Sequence, residues 1–237
     1  MTISAALLAQ LPAGPRSNKT GKSILQIVSI LQIVSGYVEI LRDYPRVRAI
    51  CIGGIAPFVP LFYFMGSAVA YATHLGQPSA FMTVLIGAMA GGRVAGGLWA
   101  KHGQQHGYLT GTVAGTVTIV SIPLWALLSF TRAIWLAIGV IAVIQVFAVA
   151  TEIVLDVLAQ HTVPDYLQGR LITLIMWSHA TGQVAGAFIV TRISTSQAVG
   201  GLVPVSLASL IPLAIAACIW VRAPGEEATA RAVALRR

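Results

Sequence analysis

The stretch GAMAGGRVAGG, residues 87–97, combines five glycines and three alanines with one arginine, Arg93. A similar stretch, ATGQVAGAF, occupies residues 180–188, and each belongs to a longer apolar segment. Between membrane helices, where packing and not hydrophobicity drives association, small residues allow two backbones to approach closely. Both stretches therefore predict membrane helices that pack tightly against their neighbours.

The composition of the whole chain indicates the same environment. Only 9% of its 237 residues are charged and 57% are hydrophobic, whereas a soluble domain carries about 25% charged residues. A surface so poor in charge predicts an integral membrane protein. The net charge of +8 would suggest a nucleic-acid partner in a soluble protein, but basic residues collect in the cytoplasmic loops of membrane proteins. We therefore expect contact with membrane lipid and none with nucleic acid.

The two cysteines, Cys51 and Cys218, both lie in apolar segments. They are interpreted as small buried hydrophobic side chains, which implies no disulfide framework and no metal site. We expect no cofactor. Residues 1–22 lack the order of basic region, long apolar core and small-residue cleavage site that defines a signal peptide, so none is expected.

Six apolar segments are long enough to cross a bilayer, since a membrane helix needs about 20 mostly apolar residues. They are residues 49–73, 79–99, 108–130, 133–157, 170–191 and 200–221. Their short connections predict antiparallel neighbours. Five prolines lie within or at the ends of these segments and predict kinks, and neighbouring helices must then satisfy the carbonyls that the kinks free. They are Pro57, Pro60, Pro123, Pro204 and Pro212. The predicted fold is an all-α membrane protein: a cytoplasmic linker at 1–48, a six-helix transmembrane domain at 49–222 and a cytoplasmic basic tail at 223–237.

The distribution of basic residues predicts the orientation. With six spans both termini lie on one side of the membrane, and every Lys and Arg except Arg132 and Arg192 falls on that side. The positive-inside rule therefore places both termini in the cytoplasm. The expected location is the plasma membrane, as a multi-pass protein of a bacterial cytoplasmic membrane.

A tandem repeat, ILQIVSILQIVS, occupies residues 24–35 ahead of the first predicted span. Its apolar run over residues 23–38 would form a helix about 24 Å long, shorter than the hydrocarbon layer of about 30 Å. Spanning would also export Arg16, Lys19 and Lys22, against the charge rule. The six-residue period fits neither supercoil repeat. We expect an interfacial helix on the cytoplasmic face, with a seventh span as the alternative.

Two predicted cytoplasmic loops carry distinctive residues. GGLWAKHGQQHG, residues 96–107, separates the second and third spans, and AQHTVPDYLQGR, residues 159–170, separates the fourth and fifth. Gly103 and Gly107 favour a tight reversal between two helices. Lys101 ends a span where its side chain can snorkel to the membrane surface or contact the last carbonyls of the helix.

In the second loop, Pro164 ends a helical run and Asp165 precedes the next span, where an acidic residue favours a helix N-terminus. Arg170 is expected either to pair with Asp165 or to reach lipid phosphate. The simplest interpretation of both loops is that they define topology. Their expected role is to fasten a cytoplasmic gate without contacting substrate.

Together with the lead-in YVEILRDYPRVRA at residues 37–49, these loops resemble the C-terminal six-helix half of efflux-type members of the major facilitator superfamily. Ala100 replaces the aspartate of that superfamily's loop signature, and Gln104 and Gln105 replace its bases, which is usual in the C-terminal copy. The residues that match in the first loop are Gly96, Lys101 and Gly103. Those that match the Val-Pro-Asp and Gly-Arg pattern of the second are Pro164, Asp165, Gly169 and Arg170. The resemblance extends over residues 36–222.

The resemblance implies two inverted three-helix repeats, with a substrate site near the midplane at the interface with a second six-helix half. It implies proton-coupled efflux of a small molecule by a half-length or truncated major facilitator, with the second half supplied by a copy of the chain or by a separate protein. The alternatives are a membrane interaction subunit without transport activity and an inactive remnant. We expect no enzyme, because the chain lacks a His-Glu-x-x-His motif, a cysteine pair and a phosphate-binding loop.

Charged residues inside predicted spans are functional candidates by default. Glu152 and Asp156 lie four residues apart on one helix face, and two close carboxylates in a low dielectric favour retention of a proton by one of them. That property suits proton-coupled transport. Alternatively, both are hydrated near the cytoplasmic end of their span or paired with Arg170. Arg93 either snorkels to the cytoplasm or faces a cavity and pairs with Glu152.

His179 and Gln183, also four residues apart, lie within the fifth predicted span. The histidine is either an interhelical hydrogen-bonding residue or a proton carrier. Gln145 and Tyr63 are further candidates for lining a cavity. The candidate substrate or proton pathway thus comprises Arg93, Gln145, Glu152, Asp156, His179 and Gln183.

Overall fold

The structure, a computed structural model, describes residues 35–76, 78–107, 111–193 and 197–223. Within these ranges the regular elements are all helical and no β-strand occurs. Apart from Ser35, the repeat at residues 24–35 lies outside the described residues, as does the tail beyond residue 223. The interfacial helix and the basic tail therefore stay predictions.

Nine helices follow one another along the described residues. They are α1 (35–43), α2 (Pro45–Gly53), α3 (Phe58–His74), α4 (Pro78–Gln105), α5 (Gly111–Phe130), α6 (Ile134–Thr162), α7 (Gln168–Thr191), α8 (Leu202–Ala208) and α9 (Leu210–Arg222), with a 3-10 turn at Asp165–Leu167. All the contacts described below lie within the unit that begins at Tyr37.

Five stretches of helix are long and apolar enough to cross a membrane: Pro45–His74, Phe81–Gln105, Gly111–Phe130, Ile134–Thr162 and Leu202–Arg222. They correspond to five of the six predicted spans, so an all-helical chain with five candidate spans is confirmed. The remaining predicted span, 170–191, forms α7. This helix has sufficient length at 24 residues, but polar residues such as His179 and Gln183 lower its hydropathy. Its insertion as a sixth span stays a prediction.

The first of these stretches is interrupted at residues 54–57, which separate α2 from α3 and include Pro57. The interruption frees the carbonyl oxygen of Cys51 from a helical hydrogen bond. The hydroxyl of Ser178 in α7 donates to this oxygen. A neighbouring helix thus satisfies a carbonyl freed at this interruption, as membrane helices require.

The two predicted loops differ in outcome. α4 continues to Gln105, so most of the predicted loop at 96–107 is helical and Gly103 lies inside the helix, which corrects the predicted reversal there. Good helix-forming residues after the glycines, including Lys101, explain the extension. The backbone reverses at Gly107, whose φ of 69° favours glycine. The second loop follows the prediction: α6 ends at Thr162 and Pro164 precedes the 3-10 turn.

Two helix pairs pack most extensively, α4 with α6 and α3 with α7, followed by α2 with α9 and α5 with α6. Glycines make the first two pairs close. A methyl group placed at Gly96 of α4 would lie 2.6 Å from the carbonyl oxygen of Val146 in α6. One placed at Gly182 of α7 would lie 2.6 Å from the carbonyl oxygen of Ile55, just ahead of α3. Both small-residue stretches therefore pack tightly against neighbours, as predicted.

Two apolar clusters fill the interior. The larger is aromatic and joins α3, α4, α5 and α6; its most buried rings are Tyr63, Phe64, Tyr71, Phe81 and Trp125. The smaller lies at the opposite end of the bundle, around Val47 of α2 and Leu171 of α7. Between these clusters α4, α6 and α7 present most of the predicted site residues.

Candidate functional site

An ion pair joins α4 to α6. Arg93 Nη2 lies 3.5 Å from Glu152 Oε2. Gly92 and Gly96 hold the two backbones together on either side of Arg93, so its side chain crosses only a short gap. The side chains are 48% and 29% exposed, which places the pair at an open edge of the helix pair and not in a core. Of the two alternatives for Arg93, the structure contains the one in which it pairs with Glu152.

Asp156 lies one turn beyond Glu152 on α6 and is half-buried. Its Oδ1 atom is buried and accepts no hydrogen bond from the residues that the structure describes. The two carboxylates lie four residues apart and therefore share one face of α6. Among the same residues no ion pair joins either carboxylate to Arg170, which lies in the first turn of α7.

The charges in this cluster do not balance. One guanidinium faces two carboxylates, so a single proton bound at either carboxylate neutralises the group. With all three side chains ionised, the cluster carries one negative charge in excess, and an uncompensated charge is costly in an apolar environment.

A second polar group packs against the interruption between α2 and α3. Ser178 and His179 of α7 are both 7% exposed. The imidazole of His179 lies on the ring of Phe58, with 4.4 Å between ring centroids. Gln183 follows one turn later on α7 and is half-buried.

Gln145 is fully buried in α6, next to Gly92 of α4. Neither its amide nitrogen nor its amide oxygen has a hydrogen-bond partner among the described residues. A buried amide without partners costs about 1–3 kcal/mol, so this position is unfavourable for stability alone. That cost makes Gln145 a candidate for contact with a ligand or for a conformational role.

Sequence reasoning missed Thr151, which precedes Glu152. Its hydroxyl is buried without a partner in the described part of the chain, and it borders a cavity of about 10 Å³. The cavity is also lined by Thr118 and Ser121 of α5 and is about the size that one water needs. A hydroxyl beside an intramembrane carboxylate in an otherwise apolar helix was the available signal.

Tyr63, also predicted to line a cavity, has a structural role. Its hydroxyl donates to the carbonyl oxygen of Ala198 at 2.8 Å and so ties α3 to the turn before α8. The residue is fully buried in the aromatic cluster.

The loop residues are spread over three settings. Gly96 serves helix packing, whereas Lys101 is exposed and Gly169 faces open space. Asp165 Oδ1 accepts a hydrogen bond from Gln168 Nε2 at 2.9 Å. Of the two alternatives for Arg170, no ion pair with Asp165 occurs among the described residues, and contact with lipid phosphate stays a prediction.

Comparisons with protein families, with curated proteins and with solved structures found no match for this chain. The resemblance to the major facilitator superfamily therefore rests on the loop residues, and it stays a prediction.

Proposed function

We propose that the chain acts in transmembrane transport of small molecules, as one six-helix lobe of a transporter that resembles the major facilitators. The observation that carries this proposal is the Arg93–Glu152 ion pair, together with Asp156, in helices long and apolar enough to cross a membrane. Charged side chains at membrane depth are expensive, and they mark ion, proton or substrate pathways.

The pattern of helix contacts supports an inverted-repeat lobe. Suppose that α2–α3, α4 and α5 form the first repeat, and that α6, α7 and α8–α9 form the second. Exchanging the two repeats then maps the α4·α6 pair onto the α7·α3 pair. The same exchange maps the α2·α9 pair onto α6·α5. These are the four most extensive pairs between helices. Such symmetry is expected where two repeats of opposite orientation build one lobe.

The outer face of α4 supports a second lobe. Only 22% of the apolar segment of α4 is buried, whereas 67% of the corresponding segment in the stretch that contains α2 and α3 is buried. Gly87 and Gly91 face open space on α4, and Arg93 is half-exposed nearby. Lipid would leave Arg93 and Glu152 poorly solvated, whereas a second six-helix lobe, from a copy of this chain or a separate protein, would enclose them around a polar path.

Proton coupling follows from the charge count of the cluster. With Glu152 ionised, its ion pair with Arg93 holds α4 to α6 at this level. A proton shared between Glu152 and Asp156 would weaken the attraction to Arg93 and would allow the two helices to separate toward the substrate path. Release of the proton on the cytoplasmic side restores the pair, so inward proton movement would drive outward movement of an amphipathic substrate.

The test is efflux of a fluorescent amphipathic dye from cells that express the chain, together with its second lobe where that is a separate protein. We expect Glu152→Gln to slow extrusion at least about tenfold, a loss of about 1.4 kcal/mol in transition-state stabilisation. The control is Glu39→Gln, which removes the same charge from an exposed position on α1. Equal rates for Glu152→Gln and the unaltered protein reject proton coupling through Glu152.

A membrane interaction subunit or an inactive remnant is the second candidate. It is favoured by the direct ion pair itself, since Arg93 and Glu152 neutralise each other and can serve packing alone. The absence of dye efflux with every source of a second lobe, combined with stable association of the chain in membranes, would support this alternative over transport.

A further inference from the structure

The interface between α5 and α6 contains a small cavity of about 10 Å³. On α6 it is lined by Ile144, Phe147, Ala148 and Thr151. Their spacing of three, four and seven residues places them on one face of the helix. A different face of α6, which carries Gln145 and Glu152, contacts α4. α6 therefore lies between two partner helices, and the cavity belongs to its contact with α5.

The opposite wall of the cavity comes from α5 and from the interruption between α2 and α3. Thr118, Ser121 and Trp125 of α5 are spaced by three and four residues and so share one face of that helix. Pro57 closes the cavity from the interruption. Because the proline nitrogen carries no hydrogen, Pro57 offers the cavity no backbone donor.

The three hydroxyl groups of the cavity complement one another as hydrogen-bonding groups. Thr118 Oγ1 donates to the carbonyl oxygen of Ala114 at 2.9 Å, and Ser121 Oγ donates to that of Thr118 at 2.7 Å. A hydroxyl has a single hydrogen, so these two groups can only accept a further hydrogen bond. Thr151 is 3% exposed, and its buried hydroxyl has no partner among the described residues. The cavity therefore offers two acceptors and one donor.

A water molecule matches this set of groups. It has two hydrogens to donate and lone pairs to accept, and buried waters make two to four hydrogen bonds. The volume is about what one water needs. Calcium and magnesium ions require six or more oxygen ligands, whereas the described lining residues provide three side-chain oxygens and no acidic group.

We propose that one water molecule is bound in this cavity, where it donates to Thr118 and Ser121, accepts from Thr151 and so bridges α5 to α6. The bridge fastens α6 to α5 and leaves the opposite contact, with α4, to respond to charge. The site depends on the packing of α5 against α6 and not on transport. It therefore stands or fails separately from the proposed function.

The first test is the direction of the stability change in Thr151→Val, a substitution of similar shape without the hydroxyl. With water bound, the variant loses a hydrogen bond, so its unfolding equilibrium constant in mixed detergent with SDS should rise at least about threefold. With an empty cavity, the variant removes an unsatisfied hydroxyl, and the constant should fall. The matched control is Thr116→Val, at an exposed position of α5 outside the cavity.

The second test is a double-mutant cycle between Thr151→Val and Ser121→Ala. The hydroxyl of Thr151 has no direct partner in the described part of the chain, so a bridging water is what couples the two residues. The fold-change of the double variant should be at least about threefold smaller than the product of the two single fold-changes. Independent residues would give a simple product, which would contradict the bridge.

The third test detects the water in the unaltered full chain by X-ray footprinting, in which a bound water is cleaved in place and oxidises the side chains beside it. Trp125 is 2% exposed and lines the cavity, so we expect it to be oxidised despite its burial. The control is Phe64, which is fully buried and contacts Trp125 but lies outside the cavity lining. Each rate is divided by that of the same residue in the unfolded chain. Oxidation of Trp125 no greater than that of Phe64, or an unchanged or lower unfolding constant in Thr151→Val, overturns the proposal.

Discussion

The α3·α7 and α4·α6 pairs are both closed by glycines, but the two pairs have different surroundings. Each pair is closed by two glycines one turn apart, Gly182 and Gly186 on α7 and Gly92 and Gly96 on α4. In the first pair, α3 belongs to a largely buried stretch beside the aromatic cluster, while α7 leaves Val184 and Phe188 exposed. The second has one side open, and on that side it carries the Arg93–Glu152 ion pair.

The difference indicates a division of roles. Where one helix of the pair is largely buried, as α3 is, close backbone contact adds stability and limits the movement of that helix. Where one face of the pair is uncovered, as on the outer side of α4, the two helices can separate on that side. A polar group at such a contact can respond to a proton. We infer that α3 and α7 form the fixed part of the bundle and α4 and α6 the responsive part.

Gly186→Leu should have the largest effect. A side chain at this position overlaps the carbonyl oxygen of Val59 and would place its Cβ 2.8 Å from the backbone nitrogen of Tyr63. Neither atom can move without breaking α3, so we expect a loss of more than about 3 kcal/mol in the free energy of unfolding. Unfolding in mixed detergent with SDS measures it. A loss under about 1 kcal/mol would contradict a fixed α3·α7 pair.

Gly92→Leu should be less damaging, although its contact is as close. The new Cβ would lie 2.8 Å from Cβ of Gln145 and would overlap the carbonyl oxygen of Ala142. Because the outer face of α4 is open, the helix can move away, and we expect a loss of about 1–3 kcal/mol by the same measurement. Gly97→Leu, at a position that faces open space on the same helix, is the control. A loss equal to that of Gly186→Leu would remove the distinction between the pairs.

Exchange of the charges between Arg93 and Glu152 separates a structural ion pair from a proton-responsive one. Each single variant, Arg93→Glu or Glu152→Arg, should lower the free energy of unfolding by roughly 1 kcal/mol, because a half-exposed pair contributes little more. The double variant should recover this loss, as a double-mutant cycle would report. Dye efflux should not recover, since the carboxylate is then on α4, away from Asp156. Full recovery of efflux would assign the pair to packing alone.

Gln145→Leu should have the smallest effect on stability. The direction of the change in the free energy of unfolding is informative. The amide has no partner among the described residues, and leucine has a similar volume, so we expect a gain of less than about 1 kcal/mol in the free energy of unfolding. Efflux should fall if the amide contacts substrate. Gln183→Leu, at a half-buried position of α7, serves as the comparison. A marked loss of stability in Gln145→Leu would show that the amide has a polar partner in the folded protein.

The limits of sequence reasoning are visible in α7 and α4. The polar residues of α7 were recognised from the sequence, but only the structure pairs Ser178 with the freed carbonyl of Cys51. In α4, the glycines suggested a loop at 96–107, whereas the segment is helical to Gln105. Good helix-forming residues after Gly97 favour the extension, and Gly96, unfavourable in an isolated helix, is favourable where α4 touches α6.

By itself, the sequence predicted an all-helical chain, the approximate limits of five helices long and apolar enough to cross a membrane, and the charged residues within them. These properties depend on composition and on hydropathy along the chain, which need no knowledge of neighbours. Only the tertiary structure decided that Arg93 meets Glu152 and that Gln145 is buried with no hydrogen-bond partner among the described residues. Those outcomes depend on which helix faces approach each other, and packing of small residues across the whole bundle sets that choice.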